Sequence, residues 1–236
     1  FGTVPIAPGF LQRLRDEATR TGAVLIFDEV VTGFRVAPGG AQALYGVTPD
    51  LSTFAKILAG GLPGGAVAGR AEILNYLATP TATEAGQRAK IHHPGTFNAN
   101  PLSAAAGVAM LSSLADGTPI ARANEQAAKL RHDMNEILAR DKIPWKVYGQ
   151  HSDWKLFYGA DAPPRDGADQ SVDDIPWQRL DGKFPQQGRA LRQALILQGI
   201  DFNGARALVG TCHTDDVVAE TLAGFAEAVR VVKADG

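Results

Sequence analysis

An acid and an amine, Asp28 and Lys56, each follow a short apolar segment, and this arrangement constrains the fold more than any other feature of the chain. The segment from Ala23 to Phe27 is apolar throughout and too short for a helix, so it predicts a strand buried on both faces. The segment from Leu51 to Ala55 predicts a second strand. Because ligands of open α/β sheets bind at the carboxyl ends of the strands, the acid and the amine are candidate functional residues.

A carboxylate and a lysine at such an edge suit catalysis with pyridoxal 5'-phosphate (PLP). The lysine amine forms a Schiff base with the aldehyde of this cofactor and, once displaced, becomes the base that moves a proton. The carboxylate pairs with the pyridine nitrogen and keeps it protonated, so that the ring can accept electrons. Taken singly, Asp28 is more typical of a turn and Lys56 of a solvated surface. The surrounding sequence therefore has to decide between these interpretations.

That surrounding sequence carries three motifs in order: FDEVVTGFR, FAKILAGGLPGGAVAGR and HPGTFNANPLSAAAG. Their order and spacing resemble those of class III PLP-dependent aminotransferases of fold type I, especially the branch of glutamate-1-semialdehyde 2,1-aminomutase. The resemblance continues, more weakly, through the C-terminal half. It implies an α/β fold in which residues 1–115 are the C-terminal part of a doubly wound, PLP-binding large domain. Residues 116–236 would form a small α/β domain.

The resemblance also implies roles for individual residues. Lys56 would form the Schiff base and shuttle the proton, Asp28 would pair with the ring nitrogen, and Val30 would press against the ring. Thr96 matches the family threonine whose hydroxyl and backbone N–H bind the cofactor phosphate of the neighbouring subunit, which implies a homodimer with composite active sites. Arg206 stands where many class III enzymes place an arginine that binds a substrate carboxylate. An ordinary arginine at the start of a strand is an equal alternative for that residue.

Three functions remain open. The first is an aminotransferase that moves an amino group from an amine or amino acid to a keto acid or aldehyde through the Lys56 Schiff base. The second is an isomerase of the aminomutase type, which runs both half-reactions on one substrate. The third is an inactive fragment that serves as a binding module. Because the resemblance begins in the middle of the family's sequence, we expect an N-terminal portion to precede Phe1, with the phosphate-binding helix start and a ring-stacking aromatic residue.

Composition argues against several other classes of protein. A formal net charge of −2 gives no electrostatic reason to bind nucleic acid or an anionic membrane surface. The single cysteine, Cys212, rules out an internal disulfide, and His92-His93 lacks further ligands at metal spacing. The stretch GGLPGGAVAG lacks the Lys-Ser/Thr of a nucleotide-binding P-loop. We therefore expect a cytoplasmic enzyme that acts on small molecules and holds no metal.

Periodicity and capping signals predict the remaining elements. Alternation in WKVYG and WKLFYG predicts a small antiparallel sheet, and residues 32–50 and 160–182 predict irregular loops. Asn100 is the predicted N-cap of a helix that begins at Pro101. Glu29 has two interpretations, a residue that supports the site or a structural ion-pair partner. Helices are predicted over residues 8–21, 71–77, 101–114, 118–140, 187–198 and 215–233, and further strands over residues 64–69 and 205–210.

Overall fold

The computed structural model describes residues 4–80, 89–159, 164–181, 186–202 and 206–234. Contacts between Cα atoms divide the chain into two compact units, one of Ala7–Thr118 and one of Pro119–Gly236 together with Phe1–Ile6. Within the described ranges, no helix is both long enough and apolar enough to cross a membrane. The assignment of residues 1–115 and 116–236 to a large and a small domain stays a prediction.

The unit of Ala7–Thr118 is built on a three-stranded sheet. Helix α1 (Phe10–Thr21) precedes the sheet and ends at Gly22, whose backbone is in the left-handed region that favours glycine. The first two strands pair in parallel and the third joins the second antiparallel. In sheet order the strands are β1 (Ile26–Asp28), β2 (Leu51–Phe54) and β3 (Ala66–Gly69). The parallel pair agrees with the predicted α/β fold.

Only one face of β1 is buried, so the prediction of a strand buried on both faces is wrong. Phe27 packs into a small apolar core with residues of α1, whereas Ile26 on the opposite face is 53% exposed. Regular pairing also begins at Ile26 rather than at Ala23. The apolar run specifies the strand, but the described residues supply a cover for only one of its faces.

The carboxylate of Asp50 joins three parts of this unit. Asp50 is buried, with 5% exposure. The carboxylate accepts hydrogen bonds from the Leu25 amide at 2.8 Å, from Arg15 of α1 at 2.9 Å and from Arg70, just after β3, at 2.9 Å. The Leu25 N–H first, and then the two guanidinium groups, hold the pKa of Asp50 well below its usual range. Polar contacts therefore join α1 to both outer strands of the sheet, since Leu25 precedes β1 and Arg70 follows β3.

The connection from β1 to β2, predicted to be irregular, contains a short helix, α2 (Gly40–Tyr45). After β2 the chain enters a 3-10 helix, Lys56–Ala59. Helix α3 (Ala71–Leu74) and a 3-10 turn, Asn75–Leu77, then replace the single helix predicted over residues 71–77. Helix α2 and the 3-10 helix Lys56–Ala59 lie at the edge of the sheet where β1 and β2 end, whereas α3 follows the antiparallel β3 and lies at the opposite edge.

Helix α4 (Pro101–Leu114) begins as predicted. Asn100 is its N-cap, and the side-chain oxygen accepts hydrogen bonds from the amides of Leu102 at 3.0 Å and Ser103 at 3.2 Å. Gly107 lets α4 approach the 3-10 helix closely, because a Cβ at that position would lie 2.5 Å from the Leu58 carbonyl oxygen. Gly107 is therefore required for the packing of α4 on this side of the helix.

The other unit contains an antiparallel three-stranded sheet, which confirms the sheet predicted from alternation. Its strands are β4 (Lys146–Tyr148), β5 (Asp153–Phe157) and β6 (Arg206–Leu208), in that order. Its helices are α5 (Thr118–Arg140), α6 (Trp177–Leu180), α7 (Gln186–Leu197) and α8 (Asp215–Ala234).

Apolar side chains cover both faces of this second sheet. On one face, Trp154 belongs to a large core that includes Phe225 and other residues of α5, α7 and α8. On the other, Phe157 packs with Val172, Ile175 and other residues of the segment 164–181. This segment was predicted to be an irregular loop, and it lacks regular structure up to α6, but its apolar side chains are buried against the sheet.

Candidate active site

The register of the parallel strands brings Asp28 and Lys56 to one edge of the first sheet. Asp28 is the last residue of β1 and lies opposite Thr53 of β2. Lys56 follows Thr53 by three residues, just after β2 ends at Phe54. Because β1 and β2 run in the same direction, both side chains are carried by the carboxyl ends of the strands, where ligands of such sheets bind.

Asp28 is exposed, and its carboxylate is held through one oxygen. Oδ1 accepts a hydrogen bond from the Val30 amide at 3.0 Å and a long one from the Thr53 hydroxyl at 3.5 Å. Among the described residues, the hydrogen bonds of Asp28 reach Oδ1 alone, so that Oδ2 can accept from a ligand. The carboxylate is thus oriented by the protein and still accessible.

Lys56 is exposed and begins the 3-10 helix that follows β2. Its φ of 52° lies in the left-handed region, which is uncommon for a residue with a side chain. Such strain, of roughly 1–3 kcal/mol, persists where packing imposes it and is frequent at functional sites. Helix α4 packs closely against the end of this 3-10 helix, since a Cβ on Gly60 would lie 2.5 Å from the Ala106 carbonyl oxygen. Helix α4 therefore supports the turn that carries the Lys56 amine.

Glu29, which the sequence left with two interpretations, is almost completely buried, with 1% exposure. Its carboxylate accepts hydrogen bonds from the Thr32 hydroxyl at 2.5 Å and from the amides of Ala41 and Gln42, each at 2.8 Å. The latter two amides lie in the first turn of α2, so Glu29 caps a helix eleven residues further along the chain. These neutral donors favour the interpretation of a supporting residue.

Val30 and Thr96 are the other predicted cofactor-binding residues. Val30 is half-buried directly beyond the end of β1, and its amide holds Asp28. Thr96 is exposed in a turn where the Asn98 amide donates to the Gly95 carbonyl at 3.0 Å. Within the part of the chain that the structure describes, Thr96 forms no hydrogen bond with Asp28 or Lys56. Its predicted role on a neighbouring subunit stays a prediction.

Arg206, the candidate carboxylate-binding residue, belongs to the unit of Pro119–Gly236. It begins β6, is half-buried and pairs in register with Lys155 of β5. Burial is the main influence on Lys155 and lowers its pKa, and the nearby positive charges of Arg206 and Arg131 act in the same direction. The substrate-binding role of Arg206 stays a prediction.

Two residues near Asp28 were missed by the sequence analysis. Thr53 was predicted only as part of a strand, and Thr32 only as part of a loop. Their hydroxyls contact Asp28 and Glu29, respectively. No local signal could identify Thr53, because its proximity to Asp28 depends on the register between two strands. A threonine three residues after Glu29 is a weak signal, since such residues are common in turns.

Comparison with known proteins identifies the family. The family model for "Aminotransferase class-III" matches residues 1–162. A curated relative, glutamate-1-semialdehyde 2,1-aminomutase of Ignicoccus hospitalis, is 35% identical over 231 residues, which are 98% of this chain and 51% of that protein. The chain therefore spans about half the length of this relative.

Solved structures show the same fold. An omega-transaminase from Sphaerobacter thermophilus superposes with a TM-score of 0.78 at 30% identity, covering 98% of this chain and 50% of the other. A structure described as a transaminase with PLP bound has a TM-score of 0.80 at 27% identity, covering 99% and 50% of the two chains. The fold is thus that of the α/β transaminases, and the chain belongs to the class III aminotransferase family.

Proposed function

We propose that this chain contributes to a PLP-dependent enzyme that transfers an amino group from an amine or amino acid to a keto acid or aldehyde. The observation that carries the proposal is the common sheet edge reached by Asp28 and Lys56, each inside a motif typical of the family. Family membership and the name of a transaminase with PLP bound support it. Lys56 is the proposed site of covalent attachment.

The residues present fit this cofactor. Lys56 offers an exposed primary amine on a packed turn, which is what covalent attachment to an aldehyde requires. Asp28 offers a carboxylate oxygen to a protonated ring nitrogen while its other oxygen is held by Val30. When bound, the cofactor supplies an aromatic ring that accepts electrons as the substrate's Cα–H bond breaks.

The chain's own residues have distinct tasks in this proposal. Lys56 Nζ would take the proton from the Cα of the amino donor and pass it to the cofactor, and in the second half-reaction it would deliver a proton to the acceptor carbon that receives the amino group. Asp28 Oδ2 accepts the hydrogen bond of the ring nitrogen and stabilises its positive charge. Val30 packs against one ring face. Thr96 would bind the phosphate of the neighbouring subunit's cofactor, so the proposed enzyme works as a homodimer. A cytoplasmic location stays a prediction.

A second candidate function is isomerisation of the aminomutase type. It is supported by the name of the relative from Ignicoccus hospitalis, which covers 98% of the chain. Both functions need the same acid and amine, because both exchange an amino group and a proton at a substrate carbon. They differ in whether the intermediate product leaves the enzyme before the second half-reaction.

The full-length protein tests the proposal directly. Borohydride reduction of the holoenzyme should attach the cofactor irreversibly, and mass mapping should find it on the peptide that contains Lys56. A reduced cofactor on another lysine would contradict the assignment. Incubation with glutamate 1-semialdehyde alone, and separately with amino donors and keto acceptors, then distinguishes an aminomutase from an aminotransferase by its products.

A further inference from the structure

Two adjacent carboxylates at the end of β1 have opposite environments. Asp28 is exposed at the sheet edge, whereas Glu29 is 1% exposed. The alternation follows from the strand, in which successive side chains point to opposite faces. Burial of a carboxylate is unfavourable unless hydrogen-bond donors satisfy it. The contacts of Glu29 therefore indicate what its burial achieves.

The carboxylate of Glu29 joins the two ends of one connection. Oε2 accepts from the Thr32 hydroxyl at 2.5 Å, at the near end, and from the Ala41 amide at 2.8 Å, at the far end. Oε1 accepts from the Gln42 amide at 2.8 Å. Helix α2 has no side-chain cap of its own at Gly39, so Glu29 supplies one from a distance. The carboxylate closes residues 30–42 into a loop.

The Glu29 carboxylate packs directly against the backbone of Gly40, with no room for a side chain at that position. Gly40 is buried with a φ of +69°, and a Cβ there would lie 2.7 Å from Oε2 of Glu29 and 2.8 Å from Oε1. The backbone of Glu29 is also fixed, since its amide donates to the Thr53 carbonyl at 2.9 Å and its carbonyl accepts from the Gly33 amide at 2.8 Å. Glu29 thus ties the loop to β2.

This loop supplies the shorter of the two hydrogen bonds that orient Asp28. That bond, to Oδ1, comes from the amide of Val30, the residue directly after Glu29, and the longer one comes from the Thr53 hydroxyl. The position of that amide depends on the turn over residues 29–33, which Glu29 closes through its carbonyl and through Thr32. If the turn relaxes, the Val30 amide moves and Asp28 loses its directing contact.

We propose that Glu29 is a positioning residue that aims the second oxygen of Asp28 at the pyridine nitrogen of the cofactor. This inference rests on the proposed PLP-dependent function. Glu29 has no contact with the reacting atoms in this scheme. It acts by holding the Val30 amide, and its effect should therefore show in the ring nitrogen as well as in turnover.

The variant Glu29→Gln tests this with little change in shape. The two amides of α2 donate to different oxygens of Glu29. Either orientation of a glutamine amide would therefore turn its NH2 group against a backbone N–H. We expect the turn to relax. Hydrogen exchange over residues 40–46 should become faster than in the unchanged protein, and the control Glu17→Gln, at an exposed position on α1, should leave that rate unchanged.

The decisive readout is nitrogen-15 NMR of the full-length holoenzyme loaded with PLP labelled at the ring nitrogen. The pH midpoint of ring protonation should fall by roughly one unit in Glu29→Gln and by more in the reference variant Asp28→Asn, because removal of a hydrogen-bonded charge partner shifts a pKa by about 1–3 units. Loss of stability alone would not move this midpoint in the folded protein.

The outcomes separate the two levels of the proposal. A lowered midpoint in both variants supports the positioning role. An unchanged midpoint in Glu29→Gln, with a lowered one in Asp28→Asn, overturns the role of Glu29 and leaves that of Asp28 intact. An unchanged midpoint in Asp28→Asn overturns both. Should Glu29→Gln fail to fold, Thr32→Val decides: it removes one donor, and an unchanged midpoint there overturns the inference, whereas a smaller decrease supports it.

Discussion

In the unit of Pro119–Gly236, apolar side chains cover both faces of the sheet, whereas in the unit of Ala7–Thr118 the Ile26 side chain of β1 remains 53% exposed. The unit of Pro119–Gly236 is organised around a large core that contains Phe225. The unit of Ala7–Thr118 relies on two buried carboxylates, Asp50 and Glu29, each of which accepts hydrogen bonds from three donors.

This difference follows from what each kind of contact can do. Apolar burial is non-directional and stabilises a fold in proportion to the area removed from water. Hydrogen bonds to a carboxylate are directional and fix the positions of particular groups. The proposed active-site residues lie in the unit with the directional contacts. Variants of the proposed active-site residues should therefore change chemistry more than stability, and variants in the large core should do the reverse.

The largest expected effect is on turnover. Lys56→Ala removes the amine that binds the cofactor and moves the proton, so turnover should fall by at least about 10²–10⁴-fold. The unfolding midpoint of the apoprotein should stay close to that of the unchanged protein, because the side chain is exposed. Lys129→Ala, at an exposed lysine of the other unit, is the matched control. A large decrease in the unfolding midpoint for Lys56→Ala would break the contrast.

The next effect is on stability. Phe225→Ala, at a position with 0% exposure, should cost about 3–5 kcal/mol in the local free energy of unfolding. Phe27→Ala, in the other unit, should cost less, because the apolar cluster that contains Phe27 is smaller. Hydrogen exchange of peptides from each unit in the full-length protein gives both values. An equal cost for both phenylalanines would show that the small core is as tightly packed as the large one.

The stability of the fold in acid should depend on Asp50, in the unit of Ala7–Thr118. The pKa of Asp50 is lower in the folded chain than the value of about 3.9 expected when it is unfolded. Its stabilising contribution is therefore complete above that pH and is lost as the pH falls through the folded value. Asp50→Asn should flatten the loss of stability below pH ~4. Urea unfolding of both proteins across this range provides the measurement, and parallel acid profiles would contradict the assignment.

The stability of the fold in alkali should depend on Tyr148, in the unit of Pro119–Gly236, and this effect should be smaller than that of Asp50 in acid. Burial, followed by the charges of Asp153 and Asp181, raises the pKa of Tyr148 to about 12. The folded chain holds this proton more tightly than the unfolded chain, whose tyrosine titrates near pH ~10, so the contribution is lost as the pH rises from there to the folded value. Tyr148→Phe should reduce that alkaline loss of stability. An unaltered alkaline profile would assign it to other groups, such as Tyr158, whose pKa burial also raises.

The elements that sequence could predict depend on local patterns. The apolar runs before Asp28 and Lys56 locate both strand ends, because such runs have a length typical of strands. Asn100 and Pro101 locate the start of α4, because capping involves neighbouring residues. The family motifs extend this to Lys56, Asp28, Val30 and Thr96, although their roles remain predictions.

The rest depends on contacts between distant residues. The exposure of Ile26 depends on which segments cover β1, which the run itself does not encode. The close packing of α4 against the 3-10 helix that begins at Lys56 joins residues that are far apart in the sequence. The capping of α2 by Glu29 joins a strand end to amides twelve and thirteen residues away, at Ala41 and Gln42. Periodicity cannot reveal such contacts.

The contact between α4 and the turn of Lys56 has a consequence for how this sequence can vary. A Cβ on Gly60 would meet the Ala106 carbonyl oxygen at 2.5 Å, and a Cβ on Gly107 would meet the Leu58 carbonyl oxygen at 2.5 Å. Both of these oxygens belong to the backbone, so a substitution at Ala106 or Leu58 would not remove them. Relatives that keep this turn should therefore retain both glycines together.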